Sequence, residues 1–479
     1  MAQDAAAWFP KHTDLLQGVR MLQLQLHRTA IDSGSRTSGL SIWGMLTSRF
    51  AGVFGHGTIT TTAAAAILRS CPRTLSKVIL QLQDDEDVTA TPLHGSDCAI
   101  ICAELAALPD LQSISSAGPG AAACLPHAPN LATTFSHLTC LRLGTIGSHA
   151  GVVQLLAGLP AGLLQLRLDV DAPDHDRIGD ERYILSVYNR MMQQQRSLQT
   201  AHLTALKTLH VTGGGSFVVG QDSTLPPNVI NMTLPVVLHE KPLLQLTHLQ
   251  HLDFANIKVL SGEQPDGFAR LARCLKQLTH LEIAALPIAE ENAHVIMSAL
   301  AAMPLKKLEV GALYMPPQEG AAADVIVPAA IGVLLGRLTS LTTLMMLAGA
   351  LAWADLAGSL ARLTGLRHLA WFGAECEEYM AGPASGMFGD VPDCESFVDA
   401  IAGLQQLRIL RANAVWFGSG YAEGDGPHPV MRLQAATQLR FLDLWGFEDH
   451  PGEQSPDWAA LLKSLPGAQL GADLVPLKD

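Results

Sequence analysis

Along this chain a short string recurs: leucine, two variable residues, a second leucine, one variable residue, then an apolar residue. It reads LTCLRL at 138–143, LLQLRL at 163–168, LKTLHV at 206–211, LQHLDF at 249–254 and LTHLEI at 278–283. It returns as LKKLEV at 305–310, LTTLMM at 341–346, LRHLAW at 366–371, LRILRA at 407–412 and LRFLDL at 439–444. Weaker copies are LSKVIL at 75–80 and LQSISS at 111–116, with VRMLQL at 19–24 as a cap copy. The last positions of each copy alternate apolar, variable, apolar, which predicts a short strand with one buried face.

Ahead of many copies, apolar residues fall three and four apart, the stripe of a half-buried helix. Such sets are Val152, Leu155, Leu156 and Leu159; Val295, Ile296, Ala299, Leu300 and Met303; and Ile331, Leu334, Leu335 and Leu338. Two more are Leu356, Leu360 and Leu363, then Trp458, Leu461, Leu462 and Leu465, the last preceded by a capping Ser455 and Pro456. The unit is a strand, a loop and a helix, and neither element buries its apolar face alone; stacked neighbours make one core. Several copies start 25 to 29 residues apart, while spacings of 36 to 43 read as the same unit with an insertion.

This pattern resembles the leucine-rich-repeat proteins, in particular the long, helix-containing repeats of the ribonuclease-inhibitor and F-box-associated kinds. The resemblance runs from about Leu75 to Leu470. It implies an α/β solenoid with a curved parallel sheet on the concave side and helices on the convex side. The domains expected are an irregular N-terminal cap over 1–70 and a solenoid of about twelve irregular repeats over 71–479, with inserted loops and a C-terminal helical cap. The family usually has Asn or Cys three residues after the string, where its side chain satisfies the buried turn. Here none of the ten corresponding positions, among them Ile146, Asp171, Leu286 and Leu313, is Asn or Cys. Backbone groups in those turns need other partners.

Four segments read as insertions: 169–199, 212–241, the acidic 373–395 and the glycine-rich 417–428. Inserted loops on one edge of a repeat array are frequent binding elements, although most surface loops are passive. The NMT string at Asn231 fits a glycosylation acceptor, but the N-terminus lacks the basic and apolar regions of a secretory signal, so the string is read as incidental.

Composition narrows the function classes. Apolar residues make up 48% of the 479 and charged residues 16%, enough core for a folded chain. A net charge of -13 argues against non-specific nucleic-acid binding. The most apolar stretches, 325–335 and 344–354, are too short to cross a bilayer. Eight scattered cysteines without a CxxC pair read as reduced thiols, which points to the cytoplasm and is compatible with the nucleus. There is no P-loop, HExxH, GxSxG or strand-borne GxGxxG string. His251, His280 and His368 recur at one repeat position, a periodic placement that gives no tight set of metal ligands. The reading expects no enzyme activity, cofactor or metal.

Variable positions between buried residues face away from the core. The row between the second leucine and the next apolar position reads Arg142, Arg167, His210, Asp253, Glu282, Glu309, Met345, Ala370, Arg411 and Asp443. Its early part is basic and its middle acidic, an arrangement able to orient a partner; an ordinary solvated face with local ion pairs is the plainer alternative. Asp253, Glu282 and Glu309, on strands about 4.8 Å apart, form an acidic stripe with Lys307, His251 and His280 nearby. Phe372, Trp416, Phe417 and Trp445 follow successive strands as aromatic anchors or as packing, whereas Trp371 is expected to point inward. The expected function is a non-enzymatic protein-recognition scaffold or adaptor whose candidate contacts are Arg142, Arg167, His210, Asp253, Glu282, Glu309, Phe372, Trp416 and Trp445. The expected partner is a protein whose identity the sequence does not give; the resemblance implies a ubiquitin-ligase adaptor, regulatory scaffold or inhibitor, and a cytoskeletal complex is the other setting considered. The alternatives are a structural component of a larger assembly, or a regulatory module for an activity encoded elsewhere.

Overall fold

The structure is a computed structural model. It describes residues 21–27, 40–41, 58–59, 61–71, 73–83, 95–117, 131–146, 149–170, 196–213, 217–237, 239–257, 265–287, 290–314, 329–348, 353–373, 391–413, 429–445, 458–465 and 469–470. The chain divides into two compact units, Met1–Pro235 and Val236–Asp479.

In the first unit the strands are β1 (Met21–His27), β2 (Leu40–Ser41), β3 (Thr58–Ile59), β4 (Lys77–Gln83), β5 (Ser113–Ala117), β6 (Cys140–Ile146), β7 (Gln165–Val170), β8 (Arg196–Ser197), β9 (Thr208–Gly213), β10 (Phe217–Val218) and β11 (Asn231–Val237). β1, β4, β5, β6, β7, β9 and β11 run parallel in that order, each paired with the next. The register is set by the repeat: Leu141 lies opposite Leu166, and Leu166 opposite Leu209. β2 joins β1 antiparallel, and β3 joins β2. β1, which takes up residues 21–24 of the cap copy, thus joins the ladder of the repeats. The helices are α1 (Thr61–Ser70), α2 (Gly95–Ala106), α3 (Leu131–Thr134) and α4 (His149–Gly158).

The second unit has β12 (His251–Ile257), β13 (His280–Pro287), β14 (Lys307–Tyr314), β15 (Thr343–Ala348), β16 (His368–Gly373), β17 (Ile409–Asn413), β18 (Phe441–Trp445) and β19 (Gln469–Leu470), parallel in chain order. Its helices are α5 (Pro265–Cys274), α6 (Glu290–Ala302), α7 (Ala329–Leu335), α8 (Trp353–Leu360), α9 (Val391–Ala402) and α10 (Trp458–Ser464), with a 3-10 segment at Pro429–Ala435. Each unit is an α/β leucine-rich-repeat solenoid.

Core positions follow the string. Leu141, Leu143, Leu281, Ile283, Leu344 and Met346 are all at most 2% exposed. A further apolar position, three residues before the string, extends the motif: Leu203, Leu246, Leu275, Leu338, Leu363 and Leu404 are equally buried. Its carbonyl accepts the N–H of the first leucine of the string, as in Leu206 to Leu203 and Leu278 to Leu275, closing a turn that aims the chain into the strand. The next repeat then docks by a forked bond. The Gln250 carbonyl accepts from Thr279 N at 2.9 Å and His280 N at 3.0 Å, and the Thr279 carbonyl from Lys306 N and Lys307 N. The same fork recurs at Lys306, Thr342, Arg367 and Arg408, and in the first unit at Ser76, Gln112, Thr139, Leu164 and Lys207. After the strands, Leu286 and Leu313 lie opposite each other as β13 and β14 run on, so here the ladder itself supplies the partners an asparagine would.

Where their side chains are described, the helical stripes agree with the sequence except in α6. There Ala293, Ile296, Met297 and Leu300 are buried, and Val295 sits at the rim. α9 takes over the end of the acidic 373–395 segment; Pro392, Asp393 and Glu395 suit a helix start, where proline needs no N–H partner and acids face the positive end of the helix dipole. Trp371 points inward and meets Phe397 of α9 edge-on, with ring centroids 6.1 Å apart. After α7 the layers approach closely. A Cβ on Gly336 would stand 3.1 Å from the Ser359 backbone of α8, whose hydroxyl donates to the carbonyls of Gly332 and Val333. Below α5, Glu240 is 4% exposed and pairs with Arg270. Burial pushes its carboxyl up, but the Arg270 hydrogen bond, a backbone bond and the nearby positive charges hold it below the usual range.

The segment 212–241 is not one insertion. β11 places Met232 opposite Leu209, and Val229, Met232 and Leu234 occupy the three apolar positions of the string at 0–2% exposure. A further repeat therefore sits between the copies at 206 and 249. Neither Leu206 to Val229 nor Val229 to Leu249 contains a helix among the described residues. Leu234→Ala is expected to cost roughly 2–5 kcal/mol, as for a fully buried leucine. Urea unfolding checks it: a midpoint unchanged from the parent would mean that 229–237 is a passive loop.

Candidate functional site

One face of each sheet is packed by leucines against the helices. The alternate positions form rows across the opposite face, and strand pairing fixes which side chains are neighbours. In the first unit Arg142, Arg167 and His210 are successive partners, followed by Thr233. In the second, Asp253, Glu282, Glu309, Met345, Ala370, Arg411 and Asp443 form one unbroken row. The row alongside it reads His251, His280, Lys307, Thr343, His368, Ile409 and Phe441.

The basic row of the first unit is partly neutralised from within. Asp169, two residues beyond Arg167 on β7, takes its guanidinium Nε at 3.1 Å. It also accepts the Thr212 hydroxyl and lies 3.9 Å from His210 Nε2. Arg142 and Arg167 are exposed, and His210 is half-buried. Burial is the largest influence on His210 and lowers its imidazole below the ordinary value; Arg167 lowers it further, and Asp169 pulls it back up. Sequence spacing singled out Arg167 and His210 but not Asp169, although an acid two positions along the same strand face was visible to the period-two rule.

The acidic row of the second unit is more strongly coupled. Lys307 reaches Glu309 at 2.6 Å. The imidazoles of His251 and His280 stack at 4.0 Å between centroids, 25° from parallel. Glu282 reaches solvent, yet its carboxyl is raised to about 7. Lost hydration is the largest cause, then the hydrogen bond with Glu309 and the charges of Asp253 and Glu309, with Lys307 opposing. His251 and His280 are both lowered, first by burial; Lys307 adds to this at each, and His251 at His280.

Further along, Arg411 lies 3.7 Å from Asp443 and 5.3 Å over the Phe441 ring. Ala370, expected to face outward, is fully buried. Its methyl is too short to reach past its neighbours in the row. Phe372 lies in β16 and Trp445 in β18, but their side chains are outside the described residues, as are all of Trp416 and Phe417. The segment 417–428 and most of 169–199 and 373–395 are outside as well.

Among the described residues no group of three or more His, Cys, Asp or Glu is arranged to hold a metal ion, and no helix is long and apolar enough to cross a membrane. Burial pushes the Cys71 thiol up to about 12, which keeps it protonated and unreactive at neutral pH.

No protein-family model and no curated protein matches the chain in sequence. Among solved structures the chain is similar to a leucine-rich repeat-containing protein, LegL7, from Legionella pneumophila, at 14% identity, with 71% of this chain and 95% of that one covered and a TM-score of 0.34.

The electrostatics of the first unit have a direct check. Asp169→Asn removes the one charge that raises His210, so its imidazole is expected to titrate at lower pH, read by NMR of the ring. An unchanged or raised value would separate Asp169 from His210.

Proposed function

We propose that this chain is a non-enzymatic protein-recognition scaffold that docks its partner on the exposed sheet face. The observation that carries this reading is the row from Asp253 to Asp443, where seven strands in register hold five charged side chains, three acids at one end and Arg411 with Asp443 at the other, on a rigid support. Rigid display lowers the ordering cost of binding, because the strands are fixed before the partner arrives. Charged rows steer a partner and set its orientation.

The size of the face limits what it does alone. Seven strands at about 4.8 Å, each about five residues long, offer on the order of 500 Å² in projection. A standard interface takes about 800 Å² from each partner. The strands therefore need help from the segments that follow them in sequence, which is where Trp416 falls, while Trp445 ends β18. The resemblance to helix-containing repeats of the ribonuclease-inhibitor and F-box-associated kinds supports an adaptor in a ubiquitin-ligase or cytoskeletal complex, working in the cytoplasm or nucleus.

Photo-crosslinking residues placed at Arg142 and Glu282 on the sheet face, and at Val153 and Val333 on the helices, test the reading in cells. Adducts are expected from the sheet-face positions, and Glu282→Lys with Glu309→Lys should weaken the recovered complex by about tenfold or more, equivalent to about 1.4 kcal/mol. Equal crosslinking from the helical positions, or a complex indifferent to both reversals, would overturn it.

A further inference from the structure

Strands β12, β13 and β14 bring six ionisable side chains into two adjacent rows: His251, His280 and Lys307, then Asp253, Glu282 and Glu309. The two rows resist charging in opposite senses. Glu282 and Glu309 stand opposite each other on paired strands, and the interaction of their carboxyl groups, with the charge of Asp253, favours the protonated form of Glu282. His251 and His280 are stacked ring on ring at 4.0 Å, so charging both sets two cations face to face. Lys307, next to His280 in its row, is paired with Glu309 of the other row and is close enough to disfavour protonation of both imidazoles. Lys306, just before β14, acts on His280 in the same sense. The next strand, β15, presents only Thr343 and Met345 to the cluster, and His368 beyond it feels Lys307 and Glu309.

We propose that these paired rows form a proton-operated charge switch on the sheet face, one that sheds negative charge as pH falls through neutrality and so gates the face's hold on a cationic partner segment. The gating rests on the docking reading above; the switch itself does not. The charge count follows from the six groups. Well above neutrality Asp253, Glu282 and Glu309 contribute -3 and Lys307 +1, which leaves -2. When Glu282 takes its proton near 7 the cluster falls to -1. Protonation of the imidazoles, at a pH below their ordinary 6.5, carries it through 0 to +1. Acidification thus weakens the attraction for a cationic segment as Glu282 takes its proton, and reverses it only once both imidazoles are charged. The cluster faces solvent, so salt weakens the coupling over a Debye length of about 10 Å at 0.1 M.

Carboxyl and imidazole NMR of the full chain between about pH 5 and about pH 9 tests the switch, with the Glu282 signal identified by its loss in Glu282→Gln. Glu282 is expected to titrate near 7, and to fall toward the ordinary glutamate value of about 4.3 in Glu309→Gln and in Asp253→Asn. His280 should titrate higher in His251→Asn. A Glu282 that titrates in the ordinary carboxylate range in the parent, or that ignores both neighbouring substitutions, overturns the switch. A ten-lysine peptide probes the gate: affinity at least tenfold higher at about pH 8 than at about pH 6, with that ratio collapsing in Glu282→Gln with Glu309→Gln, supports it. A ratio that survives those substitutions overturns the gate. NMR titrations as expected with no peptide bound at either pH overturn docking at this face and leave the switch standing.

Discussion

A strand of five to eight residues with leucines on one side has no stable existence alone. Its backbone groups and apolar face are satisfied only by a neighbour of the same kind. In this chain the joint is the forked carbonyl ahead of each strand, which takes two N–H groups from the next repeat and fixes where that repeat starts. Once that bond is set, a leucine must meet a leucine, because a slip of one residue would turn the whole apolar set to solvent. Register, core and surface rows follow from this one constraint, and so do the neighbours of every charged side chain on the exposed face.

That constraint explains what could be read from the sequence. The order of Arg142, Arg167 and His210, and of the row from Asp253 to Asp443, was legible because the leucine string marks register directly. The repeat at β11 was hidden because Val229 and Met232 replace its two leucines and Pro226, Pro227 and Pro235 suggest a loop. Burial accepts any apolar side chain of suitable volume, so letter patterns miss what packing tolerates. The extra leucine three positions upstream was divided among helical stripes because spacings of three and four suit a helix as well as a closing turn. Side-chain pairing was the least legible. Nothing in the string says that Asp169 clasps Arg167 or that Lys307 turns to Glu309, since those choices depend on rotamers that local charge selects.

The absence of asparagine after the strands has a related explanation. A buried turn needs its backbone groups paired, but a side chain is only one means of doing so. Where β13 and β14 continue through the position, main chain pairs with main chain. Ahead of the strands, Thr139, Thr279 and Thr342 add their hydroxyls to the carbonyl that their own N–H already uses. Local variation among repeats is tolerated because each carries its own solution and passes on only the register.

A parallel sheet with a leucine register also constrains what its exposed face does. Groups on neighbouring strands stand about 4.8 Å apart and point the same way. They are displayed side by side, in the order that the register sets. Such a face suits recognition along a line. The same spacing carries an electrostatic cost: a row of like charges repels itself unless a counter-ion, a neutral form or a proton intervenes. The second unit draws on all three, with Lys307 against Glu309, imidazoles at His251 and His280 shifted toward the neutral form, and a Glu282 carboxyl raised to about 7. The cheapest of these to exchange is the proton. A surface whose acidic row is set by backbone register therefore gains sensitivity to pH as a consequence of its fold, without any element that has to move.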